Sequence, residues 1–260
     1  MKAWRIVQLI IGVFFLVGCN ASGSGNQLEV IRDAGVIRFG VSADYPPFAY
    51  VTETGEFTGY AIDLDREIAK RLGVELELID VPYDTLYTAL QTGKYDVADG
   101  NFMWTEEREK SMEMPRPYFI ATNALLVAED FDESQIRTVE DIAKFKVAQQ
   151  PGGVEEEFIW EALIEPGLLP EERLTFYERA DSIALDIKAG RQDVTMNKVI
   201  VLKALVRELS GLKLIYVDGL PEGGVHMGVN KGETELRDAL SQLISDLEAE
   251  GFLDELAAKY

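Results

Sequence analysis

One basic side chain, Arg108, stands where its charge could bind a carboxylate. It falls in the first turn of a predicted helix that Thr105 would cap, and a cation there opposes the positive end of the helix dipole. A guanidinium beside free backbone N–H groups forms a bidentate clamp for a carboxylate, so this placement predicts an anion site. The alternative is a solvated arginine that pairs with Glu106 or Glu107.

Two further polar side chains, Asn101 and Lys198, end stretches of the same local design. Residues 90–101 and 187–198 each read as a last helical turn, a glycine, a basic residue and an aspartate that opens a short buried strand. Asn101 and Lys198 therefore occupy equivalent places at the carboxyl ends of two strands. Ligands of open α/β sheets bind at such ends, so the two units predict a binding cleft between two lobes.

Strands and helices alternate along the chain. The predicted elements are strands over 36–42, 74–78 and 146–149 and helices over 62–72, 181–189, 199–209 and 234–251. Asp84 and Asp181 are the expected N-caps of two helices. Alternation of this kind favours parallel sheets, and the terminal helices should pack on the first lobe.

The amino terminus has the features of an export signal. Two basic residues precede an apolar run over 6–17, which is too short for a stable membrane anchor but fits the core of a signal peptide. The run closes in Leu-Val-Gly-Cys and resembles the lipobox of bacterial lipoproteins. That resemblance implies a signal peptide over 1–18, a lipid on Cys19 and a flexible tether over 19–28, with the protein anchored in the periplasm or at the cell surface. The alternative is an ordinary signal peptide with an incidental cysteine.

The composition excludes several classes of function. The formal net charge is −21, from 46 acidic and 25 basic residues, which argues against nucleic-acid partners. With one cysteine and one histidine, the chain can form neither an internal disulfide nor a Cys/His metal cluster, and we expect no metal and no cofactor. The histidine, His226, could be a base or a ligand contact, but without a visible partner residue a structural role is favoured.

Five short segments carry a family resemblance over nearly the whole mature chain. They are 36–41 (VIRFGV), 45–48 (YPPF), 59–64 (GYAIDL), 105–108 (TEER) and 117–119 (PYF). In order and spacing they resemble bacterial extracellular solute-binding protein family 3, the polar amino-acid-binding proteins of ABC importers. The resemblance implies a periplasmic-binding-protein-like α/β fold of type II, in which two lobes joined by a two-crossover hinge close on a small molecule.

The same resemblance implies a domain organisation and a role. Lobe 1 is expected over 29–122, lobe 2 over 123–222, and a return to lobe 1 over 223–260, with crossovers near 122–124 and 220–224. The implied function is that of a monomeric solute-binding lipoprotein. It would deliver an amino acid or another small carboxylate ligand to the permease of an ABC importer.

The resemblance also carries site residues onto this chain. Arg108 would hold a ligand carboxylate, Tyr45 and Tyr60 would sandwich the ligand's side chain, and the two glycines after Pro151 would let the backbone approach the ligand. The alternative for both tyrosines is core packing. The full set of expected ligand-binding residues is Ser42, Tyr45, Tyr60, Gly100, Asn101, Met103, Arg108, Gly152, Gly153, Val154, Glu155 and Lys198.

Two positions depart from the family pattern. Relatives that bind α-amino acids have an Asp at the position of Lys198 for the ligand's ammonium, and a Ser or Thr at the position of Met103. A lysine there would repel an ammonium by about 1–4 kcal/mol. One hypothesis makes Lys198 a second anion anchor for an acid that lacks an α-ammonium, such as a dicarboxylate or keto acid. The other has Lys198 turn outward or pair with Glu155, while Gly100, Asn101 and Asn197 still hold an amino acid.

Two other classes of function stay open. The Pro-Gly-Gly loop over 151–153 is similar to that of cyclohexadienyl dehydratases, which act on prephenate or arogenate. That branch has a glutamate as general acid where this chain has Val201, and residues 199–204 contain no acid, so an enzyme is not expected. A ligand-sensing lipoprotein is the remaining alternative.

Overall fold

The computed structural model describes residues 26–260, so the predicted signal peptide, Cys19 and most of the tether lie outside the described residues. The helices are α1 (Gln27–Ala34), α2 (Tyr60–Leu72), α3 (Leu86–Gln91), α4 (Glu106–Ser111), α5 (Val154–Ile159), α6 (Ala180–Lys188), α7 (Val199–Glu208), α8 (Thr234–Ala249) and α9 (Phe252–Lys259). The strands are β1 (Val36–Val41), β2 (Asp44–Tyr45), β3 (Ala49–Val51), β4 (Phe57–Thr58), β5 (Glu75–Asp80), β6 (Val97–Met103), β7 (Met112–Glu113), β8 (Phe119–Ala128), β9 (Val147–Gln149), β10 (Leu174–Phe176), β11 (Thr195–Lys198), β12 (Leu212–Ile215) and β13 (Glu222–Asn230). Within 26–260, no helix combines the length and apolar character needed to cross a membrane.

The first lobe is built on β1. This strand pairs in parallel with β5 on one side and with β6 on the other, as the alternation of strands and helices predicts. On the far side of β6 the sheet becomes antiparallel, because β13 pairs with β6 in the opposite direction. The expectation of parallel sheets is therefore wrong for β13, a strand that brings the chain back from the second lobe. It is also wrong for β8, which pairs antiparallel with β11 and β12.

Two long strands, β8 and β13, carry the chain between the lobes. Residues 119–122 of β8 pair with 222–225 of β13. From Asn123 onward β8 pairs instead with β11 and β12, which belong to the second lobe. The second lobe also contains the parallel pair of β9 and β10. The chain thus passes between two α/β lobes where β8 changes partners, next to the start of β13.

Apolar clusters on both faces of β8 tie the fold together. Leu126 lies in the largest cluster, which extends from Phe39 in the first lobe to Leu205 on α7. Leu125 and Val127 point to the other face and pack in a cluster of the second lobe. This alternation is the period of two of a strand buried on both faces. At the chain's end, α8 packs on α1 and α2, and α9 packs on α2, so both helices return to the first lobe as predicted.

The two helix-to-strand units have the predicted design. Gly93 after α3 and Gly190 after α6 adopt φ values of 73° and 71°, the left-handed conformation that glycine favours after a helix end. Each helix is followed by a buried strand, and Asn101 and Lys198 lie on β6 and β11. The local pattern therefore places both residues toward the carboxyl ends of their strands.

Two predicted helix caps are wrong. Asp84 lies inside a short 3-10 turn, and α3 begins only at Leu86, with no side-chain cap. The helix α6 begins one residue before the predicted cap, so Asp181 lies in its first turn. There the Asp181 carboxylate pairs with the Arg179 guanidinium at 2.7 Å.

Candidate functional site

A narrow cleft separates the lobes at the carboxyl ends of β1, β6 and β11. Seven of the predicted ligand-binding residues line it: Ser42, Tyr45, Gly100, Asn101, Gly153, Glu155 and Lys198. The cavity between these side chains is small, with a volume of about 30 Å³. An amino acid is larger, so ligand entry requires the lobes to separate or the lining side chains to move.

A buried ion pair between Lys198 and Glu155 dominates the second-lobe wall of the cavity. The Lys198 Nζ lies 3.5 Å from the Glu155 Oε1, and the two side chains are only 6% and 7% exposed. Burial by itself would lower the pKa of Lys198, but the Glu155 carboxylate and the Tyr45 oxygen together raise that pKa above its usual range. The ammonium is therefore held in its charged form.

The first lobe meets this pair through Tyr45. The Tyr45 hydroxyl donates to the Asn197 Oδ1, and the Lys198 ammonium donates to the Tyr45 oxygen at 3.5 Å. The same ammonium lies 5.4 Å from the centre of the Tyr45 ring, within the range of a cation–π contact. Burial raises the pKa of Tyr45, so the hydroxyl stays neutral and keeps its proton for Asn197. Tyr45 is thus a polar bridge between the lobes.

Arg108 occupies a groove next to the cavity rather than the cavity wall. Its backbone N–H donates to the Thr105 hydroxyl at 3.2 Å, which confirms the predicted cap. Its guanidinium donates to the Met103 carbonyl at 2.7 Å and, across the cleft, to the Gly152 carbonyl at 2.8 Å. A guanidinium has five N–H donors, so these two bonds leave others free for a carboxylate.

A comparison with protein families identifies the architecture. The sequence model described as bacterial extracellular solute-binding proteins, family 3, matches residues 37–260. The chain belongs to this family. Two α/β lobes joined by a two-crossover hinge, the periplasmic-binding-protein-like fold of type II, are therefore confirmed.

Curated relatives of this family 3 protein are amino-acid-binding proteins. The arginine-binding extracellular protein ArtP of Bacillus subtilis (strain 168) is 26% identical over 262 positions, which cover 100% of this chain and 98% of ArtP. The histidine-binding periplasmic protein of Escherichia coli (strain K12) is 28% identical over 233 positions and 86% of each chain.

Solved structures give the same result. A variant of ArgBP from T. maritima superimposes with a TM-score of 0.81 at 30% identity and covers 90% of this chain and 98% of its own. The ancestral amino acid-binding protein AncCDT-1, described as a precursor of cyclohexadienyl dehydratase, superimposes with a TM-score of 0.80 at 28% identity and covers 90% of this chain and 99% of its own.

Five of the predicted ligand-binding residues do not line the cavity: Tyr60, Met103, Arg108, Gly152 and Val154. The structure places Tyr60 in the core of the first lobe, where its hydroxyl donates to the Tyr118 carbonyl at 3.1 Å and its ring packs on Phe48 and Phe119. This is the core-packing alternative that the sequence left open. Met103 is also buried, at the end of β6.

Other residues line the cavity that the sequence did not indicate as ligand contacts: Asp44, Tyr83, Gln149 and Gln150. The Asp44 Oδ1 accepts a hydrogen bond from the Ser42 hydroxyl at 2.8 Å. Gln149 ends β9 and Gln150 follows it, just before the Pro-Gly-Gly loop, so the rule that ligands bind at strand ends could have found them. Asn197, named only in the alternative for Lys198, completes the wall. Among residues 26–260, no group of three His, Cys, Asp or Glu side chains is placed to hold a metal ion.

Proposed function

We propose that this protein is the solute-binding component of an ABC importer and delivers a small carboxylate-bearing ligand to the permease. The observation that carries the proposal is the inter-lobe cleft with the Lys198–Glu155 pair on one wall and Asn101 on the other. Ligand binding would replace the present contacts between the lobes and shift the protein from an open to a closed form. The family to which the chain belongs supports this role.

The charges in the cleft support an amino acid as the ligand. A Lys198 ammonium that is paired with a carboxylate adds no net charge, so the cavity offers both an anion site and a cation site. A zwitterion matches both. The names of the arginine-binding and histidine-binding relatives support the same class. The alternative is an amino-acid-like organic acid without a free α-ammonium, for which Lys198 would leave Glu155 and become a second anion anchor opposite Arg108.

The outer mouth of the cleft is acidic, which makes basic amino acids worth testing. Asp44, Asp80, Asp84 and Glu178 border it together with one guanidinium, that of Arg179. That guanidinium is itself paired with Asp181. A cationic side chain would meet favourable charge there. Against this stands Ser42, because the family resemblance implies an acidic residue at this position in some relatives that bind cationic amino acids.

The proposal includes export and membrane anchoring. A signal peptide over 1–18 would be removed, and the lipid on Cys19 would hold the protein, as a monomer, in the periplasm or at the cell surface. Cys19→Ser should abolish incorporation of radiolabelled fatty acid and release the protein from membranes. Equal labelling of the variant would exclude Cys19 as the acceptor.

A thermal-shift screen of the purified protein tests the ligand class. Amino acids, dicarboxylates, keto acids and prephenate form the panel. A ligand at a hundred times its dissociation constant adds about 2.7 kcal/mol of apparent stability, a shift of several degrees. A response to amino acids supports the zwitterion. A response confined to acids without an ammonium supports Lys198 as an anion anchor, and a protein silent to the whole panel contradicts the proposed ligand class.

Dehydratase activity and ligand sensing are the alternatives. AncCDT-1 is described as an amino acid-binding protein and as a precursor of a dehydratase, so its similarity to this chain is a reason to test for dehydratase activity. Val201, which stands where the dehydratases have their general acid, is fully buried on α7 and has no ionisable group that could donate a proton. We therefore expect prephenate to remain unconverted on incubation with the protein. Uptake of the ligand by a strain that lacks this protein distinguishes sensing from transport. Loss of uptake in that strain would favour transport.

A further inference from the structure

Two carboxyl groups lie within hydrogen-bonding reach of each other in the core of the first lobe. Asp65 lies on α2 and Asp99 on β6, and both residues are 0% exposed. No lysine, arginine or histidine forms an ion pair with either of them among the described residues. Two like charges at contact distance in an apolar core cannot both persist, so the pair must retain at least one proton.

The hydrogen bonds of the pair point to the place of that proton. Both oxygens of Asp65 and the Oδ2 of Asp99 lack a donor among the residues at 26–260. A proton on Asp65 that is shared with the Asp99 Oδ2 gives one oxygen of each carboxyl group a partner. The remaining oxygen, the Asp99 Oδ1, accepts from the Tyr118 hydroxyl at 2.7 Å and from the Asn101 backbone N–H at 3.3 Å.

The Tyr118 hydroxyl connects this pair to the cleft. It lies 2.7 Å from the Asp99 Oδ1 and 2.9 Å from the Asn101 Oδ1. A phenol has one proton, so it donates to one of these acceptors at a time. Asn101 is the only non-glycine residue with positive φ within 26–260, at 54°, and it lines the cleft. A second proton, or a turn of the amide that brings its nitrogen to Tyr118, is needed to complete both contacts.

We propose that protonation of Asp99 decides which side of the Asn101 amide faces the cleft. When Asp99 is ionised, Tyr118 donates to it, the Asn101 amide nitrogen donates to the Tyr118 oxygen, and the amide oxygen faces the cleft. When Asp99 is protonated, it donates to Tyr118, Tyr118 donates to the Asn101 oxygen, and the amide N–H groups face the cleft. Asp99 is thus a positioning residue for Asn101.

This device would tune the ligand preference of the cleft, and in that respect it rests on the proposed function. An amide oxygen favours a ligand ammonium, and amide N–H groups favour a ligand carboxylate. Burial raises the pKa of Asp99 to about 6. Burial and the neighbouring Asp99 raise the pKa of Asp65 well above its usual range, so Asp65 keeps its proton when Asp99 loses its own. The change therefore falls near pH 6.

Other titratable groups lie near this cluster, and their titrations must be distinguished from that of Asp99. Those that act on its members from the surrounding elements are Tyr60, Arg66 and Asp254, and those that line the cleft beside Asn101 are Asp44, Tyr45, Tyr83, Glu155 and Lys198. The strand β13 adds His226, whose backbone pairs with Phe102 next to Asn101. Burial lowers the pKa of His226, which could bring a second titration into the same range.

The test follows the Asn101 side-chain amide by nuclear magnetic resonance between pH 5 and 8, without any ligand. In the wild type we expect its signals to shift in one titration with a midpoint near 6, the pKa of Asp99. Asp99→Asn, which places an uncharged amide at the same site, should abolish the shift. Tyr118→Phe should leave the Asp99 carboxyl titrating while the Asn101 side chain no longer responds.

Two control variants complete the design. Asp63 lies on the same helix as Asp65 but bonds to Lys259 at the surface, so Asp63→Asn changes an acid outside the cluster. His226→Gln removes the histidine whose titration could overlap that of Asp99. Both should keep the wild-type midpoint. Asn101 signals that do not move in the wild type would overturn the proposal, a result that needs no variant to fold. So would a titration that persists in Asp99→Asn. Because no ligand is used, either result is independent of the proposed function.

Discussion

The guanidinium of Arg108, on the first lobe, donates to the carbonyl oxygen of Gly152, on the second lobe, at 2.8 Å. The residue expected to hold a ligand carboxylate is therefore engaged with the protein itself in this structure. A carboxylate forms stronger charge-assisted bonds with a guanidinium than a neutral carbonyl does. We infer that a ligand carboxylate binds the N–H donors that Met103 and Gly152 leave free, or displaces the Gly152 carbonyl.

Arg108→Ala should weaken ligand binding by at least about 2 kcal/mol, the low end for the loss of one partner of a buried charge pair. This is a loss of about thirtyfold in affinity, measured by titration calorimetry with an amino acid that stabilises the protein in the thermal-shift screen. Arg108→Lys keeps the charge but not the two-pronged geometry, so it should restore only part of the affinity. Arg116→Ala is the matched control, because Arg116 pairs with Glu248 away from the cleft. Unchanged affinity in Arg108→Ala would remove this residue from the site.

The Lys198–Glu155 pair should behave as a buried ion pair in unfolding experiments. Lys198→Met leaves Glu155 without its counter-charge and should lower the free energy of unfolding in urea by about 3 kcal/mol. The double variant Lys198→Met, Glu155→Leu should recover most of that loss, since apolar replacement of both partners is often neutral.

An exposed pair supplies the comparison. Lys110 and Glu106 pair at 2.7 Å, with side chains 70% and 76% exposed. Lys110→Met should change the free energy of unfolding by less than about 0.5 kcal/mol. Equal effects of Lys198→Met and Lys110→Met would mean that Lys198 is solvated and free to leave Glu155.

The inter-lobe role of Tyr45 is tested by Tyr45→Phe. This variant removes the hydroxyl that bridges to Asn197 and Lys198. A typical hydrogen bond contributes about 0.5–1.5 kcal/mol, so the open form should gain about two- to tenfold in population. Small-angle X-ray scattering of the ligand-free protein should then give a larger radius of gyration. Tyr87→Phe is the control, because the Tyr87 hydroxyl bonds within the first lobe to the Ser111 carbonyl. A radius that is the same in all three proteins would contradict the bridge.

The sequence predicts features of the site that depend on residues close together in the chain. Thr105 caps the helix of Arg108 three residues later, and this contact is local enough to be predicted from residue type alone. The glycine-ended helices before Asn101 and Lys198 are local in the same sense. Such patterns fix where a strand ends, and strand ends fix the position of the cleft.

The remaining features of the site depend on contacts between residues that are far apart in the sequence, and no local pattern indicates such contacts. Whether Lys198 faces a ligand or Glu155 depends on how α5 is oriented against β11, so the sequence left both possibilities open. Asp65 and Asp99 meet because a helix packs on a strand. In the sequence, an acid on an amphipathic helix indicates a solvent-facing position, not a buried partner for another acid.

The buried acid pair gives stability an unusual dependence on pH. The folded pKa of Asp99 is raised to about 6, above its ordinary value of 3.8. The folded protein therefore binds the proton more tightly than the unfolded chain. The contribution of Asp99 is complete below about pH 4 and is lost as the pH rises through 6. Two pKa units correspond to about 3 kcal/mol. Relative to Asp99→Asn, the wild type should lose stability of this order between pH 4 and pH 7 in urea titrations.

Asp141, whose pKa is lowered rather than raised, should show the opposite dependence of stability on pH. The Lys144 ammonium and backbone N–H groups of Arg137 and Thr138 lower the pKa of Asp141 to about 2. Its contribution is present above about pH 4 and is lost as the pH falls through 2. Asp141→Asn should therefore destabilise the protein at pH 7 and have little effect at pH 2, whereas Asp99→Asn should stabilise it at pH 7 relative to pH 4. If the wild type and Asp99→Asn differ by the same free energy at every pH, Asp99 does not titrate in this range, and Asn101 has no proton-dependent partner beneath it.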